Sequence, residues 1–92
     1  MKLDDDIHNY YENLVLERIE KLGLHKDKDD DFIADLSCLT LNQCPARYIR
    51  FEVDMAFYIS TSEKQQMEMN VAEAMEKALK YLNSDDAKKK AV

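Results

Sequence analysis

Glycine and proline are almost absent from this chain: Gly23 and Pro45 stand alone among 92 residues. One glycine excludes a dinucleotide-binding turn, a P-loop and any glycine-rich phosphate cradle, because each needs several. Tryptophan is missing, and cysteine occurs only as Cys38 and Cys44. Two thiols are too few for the disulfide framework of a small secreted domain, so the cytoplasm is expected, with both thiols reduced. No apolar run approaches the roughly 20 residues of a membrane-spanning helix. The opening Met1-Lys2-Leu3-Asp4-Asp5-Asp6 is acidic where a signal peptide is basic and then apolar. Positive charge is scarce as well, with 13 Lys and Arg against 19 Asp and Glu and a net charge of −6. That balance argues against sequence-independent binding to DNA, RNA or anionic membranes, which depends on cations neutralising phosphates. It leaves room for a local basic site for a small anion.

What is present suffices for one domain over residues 1–84, with one modest core. Residues 85–92 have no apolar periodicity and are expected to be a disordered tail. A chain this short buries only about 60–65% of its unfolded surface, so self-association is a natural route to stability.

Helical periodicity runs from Ile7 to Leu22 through Tyr10, Tyr11, Leu14, Val15 and Ile19. Asp4, Asp5 and Asp6 stand where carboxylates cap a helix, and Gly23 where a left-handed cap ends one, with Leu24 folding back on Ile19. His25 to Asp31 reads as a solvated loop. A second helix is predicted from Phe32 to about Asn42, capped by one of Asp29, Asp30 or Asp31 and stopped by Pro45. A third follows the capping box Ser60–Glu63, with Met67, Val71, Ala74, Met75, Ala78, Leu79 and Leu82 on its buried stripe.

Between them the period changes. Phe51, Val53, Met55, Phe57 and Ile59 alternate with Arg50, Glu52, Asp54, Ala56 and Tyr58, the pattern of a strand with one wet and one dry face. No second strand shows in the sequence, and an unpaired strand leaves a row of backbone polar groups without partners. Two solutions stand: antiparallel pairing with the same strand of a second copy across a two-fold axis, or an extended segment lying over the helices. The fold class expected is mostly helical α+β, with three helices and one long strand paired across a homodimer.

No nucleophile, base and orienting carboxylate share a motif spacing, so no enzyme is expected. Asp27, Asp29 and Asp31 imitate the opening of a calcium loop, but Phe32 replaces its glycine and Cys38 its bidentate Glu. His8, His25, Cys38 and Cys44 are too few and too irregularly spaced for zinc. No metal or cofactor is expected, and Cys38, beside Leu39, reads as a small core residue. Met67, Met69 and Met75 are either core or an adaptable partner groove.

In Leu41-Asn42-Gln43-Cys44-Pro45-Ala46-Arg47-Tyr48-Ile49-Arg50, a helix ends, proline forces an extended turn, and two arginines flank a tyrosine. Guanidinium groups bind phosphate bidentately, and aromatic rings stack on bases. Arg47, Tyr48 and Arg50 are therefore candidates for an anionic-nucleotide site, Asn42 bracing the turn or capping the helix. Equally, Pro45 and Tyr48 pack the turn while the arginines pair with surface acids.

The segment Asp35 to Tyr48, with its Leu41-Asn42, Pro45 and Arg47-Tyr48, resembles the signature of the late competence development protein ComFB family. Asn9-Tyr10-Tyr11-Glu12 and the long last helix fit the same pattern. The resemblance implies a small, non-enzymatic, cytoplasmic bacterial protein that tends to be a homodimer. Some members are receptors for cyclic dinucleotides, cyclic di-GMP among them; others are known by association with competence operons. Membership thus leaves two functions open: a cyclic-dinucleotide receptor, or a protein–protein adaptor without a small ligand. Many members have two prolines in the turn, where this chain has Pro45-Ala46. Some hold zinc through cysteines before the second helix, where this chain has His25-Lys26-Asp27-Lys28-Asp29, so zinc is not carried over.

Overall fold

The computed structural model describes residues 7–50 and 59–84. Helix α1 spans Tyr10–Leu22. Its N-cap is Asn9, in extended backbone, whose Oδ1 accepts from the Tyr11 N–H at 3.2 Å. The aspartates expected to cap it, Asp4 to Asp6, lie outside the described residues, and the helix starts three residues later than its apolar period suggested. Tyr10, Tyr11, Leu14, Val15 and Ile19 are buried as the stripe predicts. Leu22 departs from the stripe and is 45% exposed, because it sits on the rim of an open groove between α1 and the last helix.

Gly23 ends α1 with a φ of +67°, a left-handed conformation that strains any side chain, and its N–H bonds back to Glu20 and Ile19 carbonyls. Leu24 packs against the core. The segment expected to be a loop instead begins with a four-residue helix, α2, Leu24–Asp27. Lys26 N–H reaches the Gly23 carbonyl and Lys28 N–H that of Leu24, which carries the turn on. One exposed helical turn has no apolar period to reveal it.

Helix α3, Asp30–Asn42, is capped by Asp29, whose Oδ1 accepts from the Phe32 N–H at 2.8 Å. Leu36 and Thr40, one turn apart, face the core. Cys38 is exposed, contrary to its expected place in the core, since two residues along a helix turn it about 200° from Leu36. Asn42 is the last helical residue, and the cap position falls to Gln43. Bonds from Gln43 N–H to Thr40 and from Cys44 N–H to Leu41 close the helix just before Pro45.

The largest difference from the expected fold is a small antiparallel sheet. Strand β1, His8–Asn9, pairs with β2, Tyr48–Ile49, in the register His8 to Ile49 and Asn9 to Tyr48. The turn after Pro45 thus finds a partner within the chain. Arg50 and Ile59, the ends of the predicted long strand, are both in bends, and Ile59 is buried. Phe51, Val53, Met55 and Phe57 lie outside the described residues. Among the described residues the fold is four helices and two short strands, mostly helical.

Helix α4, Thr61–Leu82, begins at Ser60, whose Oγ accepts from the Glu63 N–H at 3.1 Å. Met67, Val71, Ala74, Met75 and Ala78 are buried, Leu79 and Leu82 partly so, as its stripe predicts. Helix α4 packs on both α1 and α3, and Ile49 and Ile59 join their side chains in one core. Fully burying such a side chain stabilises by about 1.5–3 kcal/mol. A polar chain crosses the α1–α4 contact: Gln66 Nε2 donates to Asn70 Oδ1, and Asn70 Nδ2 to the Tyr11 hydroxyl, each at 3.0 Å. No helix among the described residues is long and apolar enough to cross a membrane.

Because Asn9 caps α1, Asn9→Ala is expected to destabilise the fold by roughly 1–2 kcal/mol in urea denaturation, while Asn9→Asp, an equally good cap, retains most of the stability. An alanine variant as stable as the parent contradicts this role.

Candidate functional site

The site candidates follow Pro45, and the start of α1 holds them in place. Asn9 Oδ1, besides capping α1, accepts from the Arg47 N–H at 2.9 Å across 38 residues of sequence. Tyr10 N–H donates to the Arg47 carbonyl at 2.7 Å. Both backbone polar groups of Arg47 are therefore fixed to the first turn of α1. Side chains then alternate along β2 as a strand requires. Ile49 enters the core, while Tyr48 is 63% exposed.

Tyr48 forms one wall of an open cleft of about 370 Å³, with Ile7, His8, Asn9, Glu12 and Leu41. Glu12 is exposed in the first turn of α1. It stands three residues after the cap, where a glutamate commonly folds back on the cap N–H. Among the described residues no hydrogen bond or ion pair engages its carboxylate. His8, paired in register with buried Ile49, has its Nε2 buried without a hydrogen-bond partner. Thr40 Oγ1 is likewise buried and unpartnered, a state that costs about 1–3 kcal/mol.

Arg47 does not line the cleft with Tyr48. Its Nε lies 3.5 Å from Glu63 Oε1, both side chains being about two-fifths exposed. Glu63 thus uses its N–H for the Ser60 cap and its carboxylate for Arg47. An exposed pair at this distance contributes at most about 1 kcal/mol. Arg50 is exposed in the bend just after β2. The three candidates lie within four residues of chain but do not converge: Tyr48 lines the cleft, Arg47 reaches the start of α4, and Arg50 lies in the bend beyond β2.

The remaining chemistry-bearing residues are scattered. Cys44 is half-buried, and burial pushes its thiol pKa up, away from the reactive thiolate. Cys38 receives only a weak contact from Asn42 Nδ2, at 3.8 Å from its sulfur. Asp29, one of the three aspartates at calcium-loop spacing, is engaged as the cap of α3. No cluster of three or more His, Cys, Asp or Glu able to hold a metal occurs among the described residues.

The sequence reading took Asn9 and Glu12 only as part of the family likeness and gave neither a place at this corner. The pattern Asn9-Tyr10-Tyr11-Glu12 carried a signal for both, a capping residue followed three places on by glutamate. The nearby aspartates and the apolar Ile7 drew the helix start too early. The long-range bond from Arg47 to Asn9 had no sequence signal.

No curated protein and no solved structure gives a significant match to the chain. The family model described as late competence development protein ComFB matches it over residues 8–86. That span runs from the first residue of β1 past the end of α4 and includes the whole Asn9–Arg47 junction, and by this match the chain belongs to the ComFB family.

Proposed function

We propose that this chain is a non-catalytic cytoplasmic regulatory protein that binds a cyclic dinucleotide, cyclic di-GMP in particular, at the corner following Pro45. The observation that carries the proposal is Tyr48: an aromatic ring 63% exposed on the wall of an open cleft, flanked by two arginines in a chain of net charge −6. An exposed ring held by a fixed backbone is a platform on which a base stacks, worth about 1–3 kcal/mol. Arg47 and Arg50 supply planar forks for the phosphates. Asn42 and Pro45 shape the turn that delivers them. A cleft of about 370 Å³ lies within the roughly 300–1,000 Å³ usual for small-molecule sites.

The proposed assembly is a homodimer through the alternating segment Phe51, Val53, Met55 and Phe57, Ile59 at its end being held in the protomer's own core. Its support is the sequence alternation, and a cyclic dinucleotide, itself two-fold symmetric, suits a site repeated across such an axis. The adaptor function has its own support in Met69, 56% exposed on α4, and in the groove of about 300 Å³ where α4 meets Leu22.

Calorimetry with cyclic di-GMP and cyclic di-AMP separates the two functions. Arg47→Ala is expected to cost about 1–3 kcal/mol of affinity with the fold intact, the size of a lost charge-assisted hydrogen bond. Arg47→Lys should restore it only in part, since a point charge does not reproduce a fork. Binding should weaken with salt. If neither ligand binds the parent chain, the adaptor function takes its place.

For the dimer, sedimentation at micromolar concentration should show two copies, and Val53→Pro or Met55→Pro should dissociate or unfold them by removing a ladder donor. A monomer, or a proline variant as stable as the parent, contradicts the assembly.

A further inference from the structure

The cleft beside Tyr48 contains a charge of the wrong sign for a phosphate site, and this points to what it reads. We infer that Glu12 recognises the Watson–Crick edge of a guanine stacked on Tyr48, making this cleft a guanine-selective base pocket; the inference rests on the nucleotide-binding function proposed above.

Three observations combine. Glu12 and Tyr48 line the same cleft, with the aliphatic side chains of Ile7 and Leu41 beside them. The Glu12 carboxylate is exposed, and no hydrogen bond or ion pair among the described residues engages it. Both residues are fixed to one rigid junction, since Glu12 is in the first turn of α1 and the β2 backbone is bonded to Asn9 and Tyr10.

An ionised carboxylate only accepts hydrogen bonds. The Watson–Crick edge of guanine presents two adjacent donors, N1–H and the N2 amine, which match its two oxygens. Adenine presents a donor beside the N1 acceptor, and that lone pair would face a carboxylate oxygen. Proteins that read an unstacked base do so through this edge and through stacking on an aromatic ring. The carboxylate also fixes the ligand's direction. It repels phosphate, so the base enters the Tyr48–Glu12 cleft and the phosphates stay outside it, toward the arginines that flank β2, Arg47 before it and Arg50 after it.

The test measures affinity of the parent chain and of Glu12→Gln for cyclic di-GMP, cyclic di-AMP and cyclic di-IMP, the last lacking the N2 amine. The parent is expected to prefer cyclic di-GMP over each of the others by about tenfold or more, the effect of one charge-assisted hydrogen bond. Glu12→Gln is expected to lose most of that preference while binding cyclic di-AMP at least as well as the parent. A glutamate serving only the helix terminus would lower all three affinities together and leave their ratios unchanged, which overturns the inference. Equal affinity of the parent for cyclic di-GMP and cyclic di-IMP also overturns it, with no variant needed. In either of those cases, loss of binding in Arg47→Ala and Tyr48→Ala leaves the broader nucleotide-binding function standing. A parent chain that binds no cyclic dinucleotide removes both.

Discussion

One side-chain oxygen connects the two halves of this protein's exposed corner. Asn9 Oδ1 caps α1 through the Tyr11 N–H and, in the same position, holds the Arg47 N–H at 2.9 Å. The register of β1 on β2 continues from that bond, with Asn9 opposite Tyr48 and His8 opposite Ile49. Ile49 is then committed to the core and Tyr48 to the cleft, because a strand's side chains alternate. A slip of one residue would exchange them, burying a phenol and exposing an isoleucine. The exposure of Tyr48 is thus a consequence of how the helix start is capped.

The rest of the fold provides the support for that junction. Helices α1, α3 and α4 share one core, and the polar chain from Gln66 through Asn70 to Tyr11 ties α4 to the same first turn of α1. Tyr10 and Tyr11 are both buried next to the cap. The corner is therefore anchored by packing on one side and by backbone bonds on the other. Under the proposed function, such a preformed platform would spend little ordering entropy on binding.

Helices α1, α3 and α4 were legible in the sequence because each carries an apolar stripe of period 3.6 and a local stop or start signal. Gly23, Asp29 and Ser60 all act where their residue types led one to expect, and the α4 stripe from Met67 to Ala78 is buried as predicted. Elements too short to have a period were not legible: the single turn Leu24–Asp27 and the two-residue strands. Cys38 was misplaced by reading its neighbour Leu39 instead of its angle from Leu36. At the candidate site the sequence singled out Tyr48 and the arginines as a contiguous chemical oddity. It did not show that Arg47 would face Glu63 while Tyr48 faced Glu12, because that division depends on a contact between residues 38 positions apart.

The central claim is that the junction of β1 and β2 presents a ligand-binding cleft. An amide-resolved NMR titration of the chain with cyclic di-GMP tests it most directly. The account predicts saturable shifts concentrated at His8, Glu12, Arg47, Tyr48 and Ile49. Shifts confined to the α1–α4 groove around Leu22, Glu73 and Glu76, or no shifts at millimolar ligand, would contradict it.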